Sequence, residues 1–236
     1  MRTVAVLQAR MTSSRLPGKV LIDVEGVPMI EHELRALARA TKLSDIVLAT
    51  TEHTADDPLV ALADGLGIRW FRGPEHDVLS RYAGAAREAG ADIVVRVTAD
   101  CPLLDPEVVD RVVVALDSAT DYASNVLERT FPVGLDAEVL HADVLARIDR
   151  LARSPESREH VTWFLRDERP ELFIRRSVVD GEDNSDLRFT VDTAEDLEVI
   201  RRLFRELGLA DAPRSYRDVV TYARENEIGV TRRPAG

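Results

Sequence analysis

The chain has 236 residues and a mass of 26.2 kDa, room for a substantial core in one large domain or two small ones. Hydrophobic residues make up 45% and charged residues 31%, which excludes disordered and fibrous classes. A net charge of −11 argues against a general nucleic-acid binder, whose phosphate contacts need clustered Lys and Arg, but permits a small phosphorylated ligand in a local cationic pocket.

Residues 3–8, with Val4, Val6 and Leu7, read as a buried strand, and residues 29–40 place Ile30, Leu34, Leu37 and Ala38 on one helical face. A strand at 45–50 and a helix at 58–66 follow. Next come a short strand at 68–71, a helix at 78–89 and the clearest buried strand, 92–98. Asp105 and Pro106 supply an N-cap and a first-turn proline for a helix turning Val109, Val112, Val113 and Leu116 inward. Such alternation predicts crossover units and a mostly parallel sheet flanked by helices. Beyond about residue 120 the rhythm changes. Short strands at 121–125 and 136–140 flank a turn at 131–134, helices are expected at 142–152 and 156–166, and strands at 173–178 and 187–191 bracket an acidic loop. Thr193 with Asp196, and Ser215 with Asp218, resemble capping boxes for the last two helices. Residues 232–236 read as a frayed tail.

One α/β domain over residues 1–236 is expected, with a substrate and dimerisation segment at about 121–180. No apolar run approaches the ~18 residues a membrane span needs, and no signal-peptide pattern follows Met1. The single cysteine, Cys101, excludes a disulfide scaffold, and a cytoplasmic location is expected. With no His beside it in sequence, Cys101 reads as a small buried residue rather than a nucleophile.

The segment after the first strand carries the most information. It runs Gln8-Ala9-Arg10-Met11-Thr12-Ser13-Ser14-Arg15-Leu16-Pro17-Gly18-Lys19-Val20-Leu21 and lies at a strand's carboxyl end, where open α/β sheets bind ligands. It sets three cations among hydroxyls with no acid, and Lys19 is one of only two lysines in the chain. Gly18-Lys19 is not a phosphate-binding P-loop, because the leading glycine and the following Ser or Thr are missing, and no GxGxxG occurs. By spacing alone, a solvated basic loop and a triphosphate pocket remain equally open.

The whole string, Gln-Ala-Arg-x-x-Ser-x-Arg-Leu-Pro-Gly-Lys-x-Leu, closely resembles the nucleotide-binding loop of the cytidylyltransferases that make CMP-activated sugar acids. Within that superfamily the chain is most similar to the SpsF-like group, over roughly residues 4–200. The resemblance implies a Rossmann-like nucleotidyltransferase fold, with Leu7, Gln8, Ala9 and Arg10 lining the nucleotide. It also implies that Arg10, Arg15 and Lys19 hold the triphosphate. Thr50 (in Ala49-Thr50-Thr51) and Arg72 (before Gly73) match segments around the cytosine and ribose, and Thr98 is expected to bind the nucleotide. The family's usual acid after the Ala-Thr pair is displaced here by Thr51-Glu52-His53, with Asp56-Asp57 following.

Two carboxylates are candidates for Mg²⁺. Asp100 ends the 92–98 strand facing the cationic loop, and Asp105 already supplies the next helix's cap, which leaves Asp100 free for a metal that takes one or two carboxylates plus phosphate oxygens. Asp192, in Val191-Asp192-Thr193, precedes a helix that Thr193 can cap, and the resemblance places a second metal-contacting Asp there. Asn125, Asp136, Glu138, Arg158 and His160 match signatures of the SpsF-like group and suit a polar acceptor, with Asp136 and Glu138 expected on one side of a short strand. The reading is a Mg²⁺-dependent transfer of CMP from CTP to a sugar or sugar acid by a homodimer, with Arg10, Arg15, Lys19 and Asp100 carrying the catalysis. A glycosyltransferase using a finished nucleotide sugar is the rival enzyme, but its Asp-x-Asp motif is absent after residues 92–98. A catalytically silent nucleotide-binding protein is the other alternative.

Overall fold

The computed structural model describes residues 1–231, so the expected tail at 232–236 lies outside the described residues. Thr3–Gln8 forms β1. One tight helical turn (Lys19–Leu21) and a hairpin of β2 (Asp23–Val24) and β3 (Val27–Pro28) lead into α1 (Met29–Arg39). Then follow β4 (Asp45–Thr51), α2 (Asp57–Gly65), β5 (Arg69–Gly73), α3 (Val78–Glu88), β6 (Ile93–Thr98) and α4 (Pro106–Ala115). The later part contains β7 (Tyr122–Ser124), β8 (Glu138–His141), α5 (Ala142–Leu151), α6 (Pro155–Glu159), β9 (Arg175–Ser177), α7 (Ala194–Leu207) and α8 (Tyr216–Glu225).

The seven-stranded sheet has the order β5-β4-β1-β6-β8-β7-β9, and β8 alone runs against its neighbours. This is the mixed, mostly parallel α/β sheet that the alternation implies. Side chains alternate across the sheet. Ala5 and Leu7 of β1 pack with Leu34 and Leu37 of α1 and Val109 and Val112 of α4, while Val4 and Val6 face Leu79 and Tyr82 of α3 and Leu145 of α5. A third cluster gathers Phe189, Val191, Ile200 and Val220 under α7 and α8. From β1 the chain winds outward through β4 to β5, then returns to place β6 on the other side of β1. That reversal opens a crevice at the carboxyl ends of β1 and β6.

The caps form as read at two sites. Asp105 accepts from the Glu107 and Val108 amides, and Thr193 with Asp196 closes a full capping box. Ser215 caps α8 through the Arg217 amide rather than in a box with Asp218.

Four expected elements differ. The helix expected over 156–166 breaks after Glu159, because the Thr162 hydroxyl turns inward to buried Glu138 at 2.6 Å and Val161 adopts a φ of +50° to allow it. A π-type turn, Phe164–Glu168, continues from there. The 187–191 segment forms only single bridges, to Val133 and Val230, since its neighbours are loop residues and not a strand. The strand expected from 136 begins at Glu138, so Asp136 lies in the preceding loop, and the strand expected over 173–178 shrinks to β9 at the sheet's edge.

Gly134 has a φ of +106°, and a β-carbon there would sit 2.8 Å from the Phe189 carbonyl carbon. Gly134→Ala should therefore destabilise the fold by on the order of 2 kcal/mol or more, read as a lowered urea midpoint with an unchanged slope.

Candidate active site

The crevice at the strand reversal is a cleft of about 400 Å³, lined by Gln8, Ala9, Arg10, Arg15, Lys19, Thr98, Asp100, Glu159, His160 and Asp192, among others. Its near wall is the loop leaving β1. The Ala9 amide continues the ladder to the Ala49 carbonyl at 3.1 Å, and the Gly18 amide closes the loop on the Met11 carbonyl at 3.0 Å. Gly18 sits at φ +70°, the left-handed conformation that sends Lys19 back into the cleft.

Buried Asp56 anchors this loop. It accepts from the Met11 amide at 2.7 Å, the Thr50 hydroxyl at 3.0 Å and the Thr51 amide at 3.1 Å, and also from the Thr51 hydroxyl. Burial pushes its carboxyl up, but these hydrogen bonds outweigh burial and hold it below the ordinary range.

The loop's cations find their carboxylates across the fold. The Lys19 ammonium donates to the Val191 carbonyl at 2.7 Å and to Asp192 at 2.9 Å, and lies 3.6 Å from Asp100. Arg15 also reaches Asp192, at 2.8 Å, and Arg188 holds its other oxygen at 2.6 Å. Burial raises the Asp192 carboxyl, but Lys19, Arg15 and Arg188 together bring it below its usual range. Asp100 accepts from the Thr98 hydroxyl at 2.7 Å, and its carbonyl takes the Val191 amide at 2.9 Å, which ties the end of β6 to the 191–192 segment. Arg10 lies 3.7 Å from Glu159 and 4.0 Å from Glu75. The loop itself carries no acid, as the sequence shows, but each of its three cations faces one in space.

Two carboxylates around a single positive charge suit a hard divalent ion that takes its remaining ligands from phosphate and water. Among the described residues no three His, Cys, Asp or Glu side chains form a metal cage, so such an ion would need ligands from outside the chain for the rest of its shell. Cys101 is buried, as expected. Burial, with Asp100 and Glu33 nearby, pushes its thiol well up, and its amide donates to Glu33 at 3.0 Å.

Other sequence candidates are placed differently. Leu7 is fully buried in the core, so its side chain does not line the cleft. Thr50 is buried against Asp56, and Arg72 donates to the Thr51 and His53 carbonyls at 3.2 Å and pairs with Asp57, bracing the ends of β4 and β5. Asn125 is buried and staples Leu135 and Ala137. Arg158 ties Asp77 at 2.6 Å to Asp149 at 2.8 Å. His160 lines the cleft with Lys19, Asp100 and Asp192, apart from the cavity that holds Asp136 and Glu138.

Asp136 and Glu138 share a second cavity of about 260 Å³ with Arg96, Arg129 and Arg166, adjoining the first across Thr98. Arg129 pairs bidentately with Asp136 at 2.6 and 2.9 Å. Glu138 is buried on Arg96, Tyr122 and Thr162, and burial's upward push on it is overcome by Arg96 and Arg166. Arg129 and Arg166 escaped the sequence reading, because only the fold brings them to the second cavity, and so did the support that Asp56 gives the loop and Arg188 gives Asp192.

Residues 4–225 match the family profile of the cytidylyltransferases. This chain belongs to the cytidylyltransferase family, a family of nucleotidyltransferases. The cytidylyltransferase is 33% identical over 240 residues to the spore coat polysaccharide biosynthesis protein SpsF of Bacillus subtilis, covering 98% of this chain and 97% of that one. It superimposes with a TM-score of 0.92 and 30% identity on a cytidylyltransferase structure from Leptospira borgpetersenii, over 100% and 99% of the two chains. A CMP:2-keto-3-deoxy-manno-octonic acid synthetase complexed with CTP shares the fold, with a TM-score of 0.67, 22% identity and coverage of 87% and 99%.

The depressed carboxyls set an acid limit. Stability from Asp56 and Asp192 is complete above about pH 4, the unfolded carboxylate range, and is lost as pH falls through their lowered folded values. In the cytidylyltransferase, Asp56→Asn should cost about 1–3 kcal/mol at neutral pH and flatten the decline in urea midpoint between about pH 5 and pH 2.

Proposed function

We propose that this cytidylyltransferase transfers CMP from CTP to a sugar or sugar-acid acceptor and releases pyrophosphate, in the assembly of a surface polysaccharide or glycoconjugate. The observation that carries the reading is the Lys19 ammonium set between Asp100 and Asp192 at the strand reversal, beside Arg10 and Arg15. Arg15 and Lys19 exchange their carboxylate partners for triphosphate oxygens, and Arg10 adds a third positive charge. An acceptor oxygen attacks the α-phosphorus in line, its bond to phosphorus forming as the bond to pyrophosphate breaks. Charge building on the phosphate oxygens is met by cations already in place, so positioning and electrostatics carry the rate enhancement. Asp100 and Asp192 would hold Mg²⁺, which when bound supplies further neutralisation of phosphate charge.

The cavity beyond Thr98 is the acceptor side in this reading. Arg166 stands there at ion-pair distance from Glu138 (3.7 Å) and Asp167 (3.5 Å), and Arg129 and Asp136 offer donors and acceptors to a hydroxylated sugar. Glu138 lines this cavity, Asn125 holds the Leu135–Ala137 backbone that carries Asp136, Arg158 lines neither cavity, and His160 lines the first cleft just before the Val161 turn.

The test is pyrophosphate release from CTP and Mg²⁺ with a panel of sugar acids and phosphorylated sugars. A glycosyltransferase would release none. CTP with Mg²⁺ should raise the melting temperature more than ATP, GTP or UTP does, and equal shifts would remove the cytidylyl assignment. Lys19→Ala should weaken triphosphate binding by about 1.5–3 kcal/mol, the worth of a charge-assisted contact, by calorimetric titration. Asp100→Asn should abolish most turnover without lowering the melting temperature. Arg166→Ala should raise the acceptor KM and leave CTP affinity unchanged; a large loss of CTP binding would put Arg166 on the wrong side.

A further inference from the structure

Glu33 puts a carboxyl group at a core position of α1. It has no solvent exposure and shares the buried face of the helix with Ile30, Leu34 and Leu37. One oxygen, Oε1, accepts from the Cys101 amide at 3.0 Å, and the other, Oε2, is buried without a partner. Burying a carboxyl on a single hydrogen bond is costly, and an apolar side chain of the same size would avoid that cost. What the chain keeps in return is a fixed Cys101 N–H.

That N–H belongs to the peptide unit joining Asp100 to Cys101. The opposite edge of the unit is held too, because the Asp100 carbonyl accepts from the Val191 amide at 2.9 Å. A peptide unit is planar, so bonds on its two edges fix its tilt, and with it the direction in which the Asp100 side chain leaves the backbone. The carboxyl of Asp100 is then gripped at one oxygen. Oδ1 accepts from the Thr98 hydroxyl at 2.7 Å and from the Cys101 thiol at 3.4 Å, while Oδ2 stands 3.6 Å from the Lys19 ammonium. Thr98, Asp100 and Lys19 line the cleft, and Cys101 and Glu33 are buried behind them.

We infer that Glu33 is a positioning residue: through the Cys101 N–H it sets the Asp100–Cys101 peptide so that Asp100 turns Oδ2, and not Oδ1, to the cleft. The inference rests on the proposed function for its metal, and Oδ2 is the oxygen left for a divalent ion. The role needs an acceptor at Oε1 and no charge, so glutamine can fill it and methionine cannot.

Calorimetric titration of CTP in EDTA and in saturating Mn²⁺ tests this in the wild type, E33Q, E33M and D100N. Methionine fills the space of Glu33 without offering an acceptor. E33M should bind CTP as the wild type does in EDTA, where the cationic loop acts alone, and about tenfold more weakly than the wild type in Mn²⁺. E33Q should match the wild type in both solutions. An E33M that keeps wild-type affinity in Mn²⁺, or an E33Q that loses as much as E33M, overturns the inference and leaves the cytidylyl reading intact. An E33M that is weaker by the same factor in both solutions, or that does not fold, marks Glu33 as a strut of the core and also overturns it. A wild type that gains nothing from Mn²⁺, or a D100N that keeps the whole gain, removes Asp100 as a metal ligand and with it the metal site of the proposed function.

Discussion

Lys19 brings together three parts of the chain that are far apart in sequence. Its ammonium touches the 191–192 segment and stands beside Asp100 at the end of β6, while its own loop returns to β4 through Asp56. The half-buried Lys19 cation is balanced chiefly by Asp192, whose carboxyl Lys19, Arg15 and Arg188 hold below its usual range. The same charge balance readies the site for a polyanion. Under the proposed function, triphosphate oxygens take over Lys19 and Arg15, and the carboxylates they release would hold a divalent ion. Removing Asp192 would leave Lys19, Arg15 and Arg188 facing one another, so the stability of the site depends on that one carboxylate.

The clefts on either side of Thr98 differ in how they are held. The cleft beside Lys19 rests on the ladder from Ala9 to Ala49 and on Asp56, whose four acceptor contacts are a rigid anchor. The Asp136–Glu138 cavity rests on buried Glu138 and a backbone that breaks helical geometry. A β-branched Val161 at positive φ costs energy, and the hydrogen bond from Thr162 to Glu138 is what the structure gains for it. That break turns His160 toward one cleft and brings Arg166 to the other.

Much of this was legible in the sequence. The β1, β4 and β6 strands are short apolar runs whose side chains are buried on both faces, and the amphipathic period of α1, α4 and α7 survives intact in the fold. The cationic loop could be read because its residues are contiguous. The 187–191 segment misled because an apolar run also serves as a bridge between loops when no strand lies beside it. The helix through 156–166 misled for a different reason: local propensity cannot see a buried Glu138 waiting for the Thr162 hydroxyl. Asp56, Arg129 and Arg188 were invisible as site residues, since each acquires its meaning from a partner supplied by the fold.

The most direct measurement is a crystal structure of the enzyme with Mg²⁺ and a non-hydrolysable CTP analogue. The account predicts the triphosphate in the cleft at the ends of β1 and β6, with Lys19 and Arg15 turned from Asp192 to phosphate oxygens and Asp100 beside the metal. A nucleotide seated elsewhere, or one bound while Lys19 keeps both carboxylates and touches no phosphate, would contradict it.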